Sequence, residues 1–361
     1  MIRGWCPTAW QPMAAGDGLL VRVRPRLARL TRDQMLGLCA AALAWGNGQI
    51  DVTNRANLQI RGVAEDGWEP LVAALITLGL VDPDPQREAR RAVLVAPEWV
   101  SGDDTHRIAS ALELRLAELP DLPGKFGFAI DAGAAPVLRA DPADFRIERG
   151  VEGELILRAD GQETGVALVP GSEVDALIAL AGWFVASGGR DSRRMARHRA
   201  SLPNWANGTC RPAASAPALK SGRHAFGAAL GLPFGRIDAA DLGTSAAHAI
   251  RTTPWRIVLF EGVAPAAETH ALLHTDACVG APACPQASVS TRDLAARLAP
   301  SITGRLHVSG CGKGCARAAA ADVVLTGRDG RYDLAFDARA GAPPALPGLD
   351  AAQVLAHFGT A

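Results

Sequence analysis

CVGAPAC (residues 278–284) and GCGKGC (residues 310–315) hold four of the chain's seven cysteines, Cys278, Cys284, Cys311 and Cys315. A C-x5-C pair, a stretch long enough for a helix and a strand, and then a C-x3-C pair form an iron–sulfur signature, because four thiolates give one ligand to each iron of a [4Fe-4S] cubane. Glycines at 310, 312 and 314 let backbone N–H groups approach cluster sulfides without a Cβ in the way. A structural zinc site also takes four cysteines, but its pairs usually stand two to four residues apart. Disulfides need an oxidising compartment, and the opening MIRGWCPTAWQPM has no apolar run of the kind that directs secretion. Cys6, Cys39 and Cys210 are scattered, and Cys39 falls inside an apolar helical pattern; these three read as packed thiols. Electron transfer is the first function class.

The 361 residues, 48% hydrophobic, can bury large cores and suggest two or three domains. No window approaches a membrane span, so the expected location is the cytoplasm. Net charge is zero, which removes the global electrostatic case for nucleic acid. Nearly all the positive charge is arginine; only Lys125, Lys220 and Lys313 are lysine.

The first half reads as two α/β units. Residues 18–24 (GLLVRVR) alternate as a strand does, and Thr31 with Gln34 forms a capping box for an apolar helix ending near Gly46. Strands at 49–52 and 57–61 and a helix at 67–78 follow. A second unit has strands at 92–95, 125–131, 144–149 and 154–158 around an acid-capped helix at 103–119. Residues 165–170 (GVALVP) resemble the opening strand and precede a helix through Ala186, so the second half partly repeats the first. Residues 187–247 are rich in Gly, Pro, Ser and Arg, with little periodicity; the basic run RDSRRMARHR reads as solvated surface. Order returns with a strand at 255–260 and continues through both cysteine pairs to strands at 321–326 and 332–336 and a helix at 350–358.

TNRANLQIRG places Arg55, Asn57, Gln59 and Arg61 at two-residue spacing, on one face of a strand with Leu58 and Ile60 on the other. Such a face suits an anion or polycarboxylate, since guanidinium forks grip carboxylates bidentately; a solvated sheet face has the same pattern. In LPGKFGFAID, Lys125 opens an apolar strand after a Pro-Gly turn, and Arg90 and Arg91 precede AVLV likewise. GCGKGC echoes a phosphate loop but lacks its first glycine and the hydroxyl residue after the lysine, and no G-x-G-x-x-G follows a strand. Electrons therefore come from a partner or soluble donor.

The cysteine pattern together with T-x-R-x-x-x-Q (Thr53, Arg55, Gln59), Arg91 before a strand and LPGKF (122–126) resembles the nitrite and sulfite reductase family over nearly the whole chain. The resemblance implies an α+β fold of ferredoxin-like half-domains and two larger α/β units with a pseudo-twofold repeat. The parts are a half-domain at 1–80, an α/β unit at 81–160, a degenerate half-domain and connection at 161–247, and an iron–sulfur unit at 248–361. It further implies a four-iron cluster beside a sirohaem, with Cys315 bridging the two, and basic residues at Arg55, Arg91 and Lys125 lining an anion face. Within the family, the opening RGWCPTAWQPMAAGDGLLVRVRP is similar to the precorrin-3B synthases of aerobic cobalamin synthesis. The reductases carry a second lysine two residues after the first in LPxKFxx, whereas this chain has Gly127, and losing that cation weakens a site built to reduce sulfite.

This branch implies hydroxylation of precorrin-3A at C20 with closure of a γ-lactone, using O2 and an external NADH-linked electron donor. Cys278, Cys284, Cys311 and Cys315 would hold the cluster. Arg55, Gln59, Arg91 and Lys125 would bind substrate, with Arg91 and Lys125 near the chemistry. The branch is also associated with a non-haem iron, for whose ligands the chain shows no motif. Two alternatives remain: a sirohaem-dependent sulfite or nitrite reductase, and a non-catalytic iron–sulfur electron carrier.

Overall fold

The computed structural model describes residues 7–264 and 271–360, so Cys6 and the residues before it lie outside the described part. Within it, four five-stranded sheets form two matched pairs. The expected α+β architecture and its pseudo-repeat are present.

The first half-domain begins with Gly18–Val23, whose alternate residues pair across the sheet in register. Val21, Ile60, Ile50 and Ile237 make one rung, while Arg22, Gln59, Asp51 and Arg236 make the next, on the opposite face. The apolar rung joins the core under the helices Arg32–Trp45 and Glu65–Thr77. Thr31 and Gln34 form the reciprocal capping box expected from sequence.

The second half-domain has the same strand order but lies at residues 222–261, built on Gly222–His224, Gly227–Gly231, Ala249–Thr252 and Ile257–Glu261. Each half-domain lends a strand to the other. Arg236–Asp238 pairs with Gln49–Val52 in the first sheet, and Arg29–Thr31 pairs with Ala249–Thr252 in the second. The exchange is fixed by two ion-pair trios with inverted charges. Asp51 receives Arg236 at 3.0 Å and Arg61 at 3.5 Å, whereas Glu261, at the position of Arg61, receives Arg29 at 2.7 Å and Arg251 at 2.6 Å.

The hydrogen bond from Arg29, opposed by burial and aided by Arg251, holds the Glu261 carboxyl down at about 2 from 4.5. A depressed carboxylate contributes stability that is present above 4.5 and lost as pH falls toward 2. Glu261→Gln should therefore lower stability at pH 7 by about 1–2 kcal/mol, allowing for solvent screening. It should also flatten the acid limb of a urea-unfolding series; an unaltered limb would remove Glu261 as its source.

The two α/β units also match. In each, three parallel strands are followed by two antiparallel ones: Val93–Val95, Phe128–Asp131, Phe145–Arg149, Leu155–Ala159 and Val166–Ala167 in the first, and Thr275–Ala277, Leu306–Ser309, Ala321–Arg328, Arg331–Ala338 and Leu346–Leu349 in the second. The first unit extends past the expected boundary at residue 160. The helix Glu173–Ala186 packs Leu177, Leu180 and Phe184 into the same core as Phe128 and Phe145, and Met195 and Ala206 complete it. Residues 161–206 thus close the first unit instead of opening the second half-domain. GVALVP misleads because only Val166–Ala167 of it joins the sheet, as a short edge on Leu155–Ala159, while Gly165 bridges to Cys210.

Candidate functional site

The polar rung of the first half-domain runs between the two α/β units. At one end Arg22 lines a cleft with Arg24, Arg55, Asn57, Gly124 and Phe128. At the other, Asp51 lies 3.7 Å from Arg292 of the cysteine-bearing unit. Burial pushes the Arg292 guanidinium down to about 10 against the pull of Asp51, and Cys278 is close enough to add to that pull. A polar row of Arg22, Gln59 and Asp51, with Arg292 beyond it, therefore leads from the cleft to the cysteine-bearing unit.

The second half-domain has no such face. The matching rung reads Ala229, Leu259, Arg251, Arg29, and its apolar end is covered by Leu219, Phe226 and Trp255. Arg251 itself lies 4.3 Å from the Trp99 ring centre and 4.4 Å from that of Phe226. One half-domain is polar and open toward the cleft; its twin is filled.

Of the residues marked from sequence, Gln59 and Arg61 lie on the strand Leu58–Val63, but Arg55 and Asn57 do not. They belong to a tight turn closed by Thr53 N–H to the Asn57 carbonyl at 2.9 Å, with Ala56 at φ 55. Arg61 is 4% exposed and bound bidentately by Asp17 at 2.8 and 2.9 Å, so it is a structural arginine. Arg55 Nη2 donates to the Lys125 carbonyl at 2.9 Å. A Cβ at residue 127 would stand 3.2 Å from Arg55 Nη1 and 3.1 Å from the Ala92 carbonyl. Gly127 is thus what lets the guanidinium lie over this backbone. The Lys125 side chain is exposed beside Gly124 of the cleft.

Arg91 occupies a different place from the one expected. It is 2% exposed, donates to Glu88 Oε2 at 2.8 Å and to the Arg24 carbonyl at 2.7 Å, and lies behind the cleft wall. The cation at that wall is Arg24, whose guanidinium burial lowers to about 10 while Glu88 opposes the shift. Arg22 and Arg24 were visible as alternate residues of GLLVRVR. Arg236 and Arg292 had no local signal, because the carboxylate that gathers them, Asp51, is far away in the sequence.

Cys278 and Cys311 follow the adjacent parallel strands Thr275–Ala277 and Leu306–Ser309, which deliver both cysteine loops to one sheet edge. Gly310 N–H donates to Cys278 Sγ at 3.2 Å, Thr291 Oγ1 to the Cys278 carbonyl at 2.5 Å, and Ser309 Oγ to the Cys311 carbonyl at 2.7 Å. A Cβ on Gly310 would meet that of Ala287 at 2.5 Å. Burial raises the Cys315 thiol; Lys313 lowers it, and Cys278, Cys311 and Cys284 raise it further. Among the described residues no three Cys, His, Asp or Glu side chains converge to hold a metal ion. A cubane asks for something else, four thiolates each on its own iron, with N–H donors to sulfur; the soft donor set and the Gly310 contact fit that group. Cys39 is buried with its thiol raised to about 11, and Cys210 pairs by its backbone with Gly165; both stand apart from this edge. No described helix is long and apolar enough to cross a membrane.

Residues 11–78 match the family model of the nitrite/sulfite reductase ferredoxin-like half domain. The Mycobacterium tuberculosis NirA protein is similar in structure at a TM-score of 0.58 and 18% identity, over 91% of this chain and 76% of that one, which supports the fold. A precorrin-3B synthase from Sinorhizobium sp. is 31% identical over 412 aligned positions, covering 95% of this chain and 85% of the relative. With the reductase-like fold, one open polar half-domain and a likeness that spans both chains, this protein belongs to the precorrin-3B synthase family of oxidoreductases.

Proposed function

We propose that the chain converts precorrin-3A to precorrin-3B, hydroxylating C20 and closing a γ-lactone with the ring A acetate. One atom of O2 enters the product and the other leaves as water, with two electrons from an external NADH-linked donor. The observation that carries this reading is the asymmetry of the half-domains: a polycarboxylate macrocycle needs arginines facing a cleft, and Arg22 of the first half-domain lines one, whereas Arg29 and Arg251 of the second are paired with Glu261. Arg22, Arg55 and Gln59 would hold substrate carboxylates along the cleft, with Lys125 at its rim. Each well-made charged hydrogen bond contributes about 1.5–3 kcal/mol. Arg91 would act by holding the Arg24 backbone in the wall. A [4Fe-4S] cluster held by Cys278, Cys284, Cys311 and Cys315 would supply electrons one at a time. The chain's own groups then bind and orient the macrocycle, and the apolar wall at Phe128 limits water around its edge.

The test is an anaerobic absorption spectrum with iron and acid-labile sulfide assayed on the same sample, followed by turnover of precorrin-3A under O2. Cluster absorption without sirohaem bands, and a lactone product, is the expected result. Sirohaem bands with sulfite reduction would replace the proposal with the reductase reading, and a cluster without turnover of either substrate would leave an electron carrier.

A further inference from the structure

The half-domains place non-glycine residues in left-handed backbone at equivalent points: Leu27 (φ 52) and Phe234 (φ 58) two residues before the exchanged strands, Ala56 (φ 55) and Arg256 (φ 59) four residues after the matched ones. Such conformations are strained and persist where their surroundings over-determine them. In the first half-domain Leu27 packs on the phenylalanine-rich core and Ala56 on a small apolar cluster with Leu94 and Ala129, so both turns grip the first α/β unit. In the second, Phe234 packs on the core of the cysteine-bearing unit. Arg256 departs from this scheme. Where its twin is an alanine methyl, it extends a long cation into the cysteine-bearing unit.

Its two ends are specific. Arg256 Nη1 donates to Asp276 Oδ1 at 2.7 Å, and Nη2 donates to the Ala316 carbonyl at 2.8 Å. Asp276 lies two residues before Cys278 and Ala316 one residue after Cys315, so one planar guanidinium ties the strand carrying the first cysteine to the loop carrying the last. Asp276 is 6% exposed, and its other oxygen takes Arg305 at 3.2 Å and Arg317 at 3.6 Å, which anchors the tie from behind. Arg317, within the loop, gives it a second link to Asp276, at 3.6 Å against the 2.7 Å of Arg256. Cys315 is exposed, Gly314 is left-handed at φ 62, and His307 beneath them is fully buried with neither ring nitrogen hydrogen-bonded.

We infer that Arg256 is a positioning residue for the cluster site: a latch from the second half-domain that fixes the Cys315 loop against the Cys278 strand. The inference rests on the cluster reading above only for its functional consequence; the latch itself is a property of the polypeptide.

The experiment compares wild type, Arg256→Gly and Arg256→Lys as full-length purified proteins, by hydrogen exchange resolved to peptides and by the midpoint potential of the bound cluster. Glycine relieves the left-handed strain while removing the latch; lysine keeps charge but cannot span both acceptors. Exchange in residues 312–320 should rise about tenfold or more in Arg256→Gly, with a smaller rise in Arg256→Lys. The strands Ala249–Thr252 and Ile257–Glu261 should stay protected, and the potential should shift in both variants. Unchanged exchange at 312–320, or equal acceleration over the whole chain, would overturn the latch; an unshifted potential would overturn its role in positioning the cluster. A wild-type protein lacking a cluster defeats the functional reading instead, and the exchange comparison still decides the latch.

Discussion

Cys315→Ser is expected to yield a folded protein with little iron or acid-labile sulfide and with precorrin-3A turnover reduced by more than about 100-fold, beyond the 10–100-fold typical of losing only an outer partner of a metal site. A serine hydroxyl is a hard, protonated group where a soft thiolate is needed, and each iron of a cubane depends on its own sulfur. Because ligand binding and folding are coupled, the variant should also melt at a lower temperature than the loaded wild type. Cys39→Ser and Cys210→Ser are the controls. Neither thiol stands at the edge formed by Thr275–Ala277 and Leu306–Ser309, so both variants should keep iron, sulfide and turnover. Normal iron and sulfide in Cys315→Ser would remove it from the ligand set and reopen the assignment of all four cysteines.

The sequence carried this site unevenly, and the reason is the range of the interactions. Features closed within a few residues were legible: the Thr31 and Gln34 box, the strand Gln49–Val52, and the last helix, expected at 350–358 and present at Ala351–His357. The cysteine loops were legible too, because ligand spacing is itself local. The exchanged strands Arg29–Thr31 and Arg236–Asp238 were not, since three residues have no periodicity and their partners belong to the other half-domain. Missing that exchange hid Arg236 as part of the polar rung and shifted the second half-domain about sixty residues too early in the reading of its pattern. Arg91 shows the same limit. A cation before a strand looks alike whether it faces a ligand or Glu88, and only burial separates the two.

Gly127→Ala should impair substrate binding about as much as Arg55→Ala does, although the added methyl touches no carboxylate. The new Cβ would stand 3.2 Å from Arg55 Nη1 and 3.1 Å from the Ala92 carbonyl. The Ala92 carbonyl is backbone, held by the Phe128 N–H at 3.0 Å, and yields little, so the flexible end of Arg55 gives way and leaves its 2.9 Å bond to the Lys125 carbonyl. Backbone strain does not enter, because Gly127 is not in the left-handed region. Losing one charged hydrogen bond of about 1.5–3 kcal/mol corresponds to a rise of about 10- to 150-fold in KM for precorrin-3A. The kcat should change less, as expected when an interaction made equally in ground and transition states is removed. Cluster content should be normal in both variants, since residues 55 and 127 lie away from the cysteine edge. Combining the two should add little to either alone, because both act through one guanidinium. Additive losses would mean that Gly127 works independently of Arg55, by leaving room for the macrocycle itself. A wild-type KM in Arg55→Ala would take the turn arginine out of the binding face.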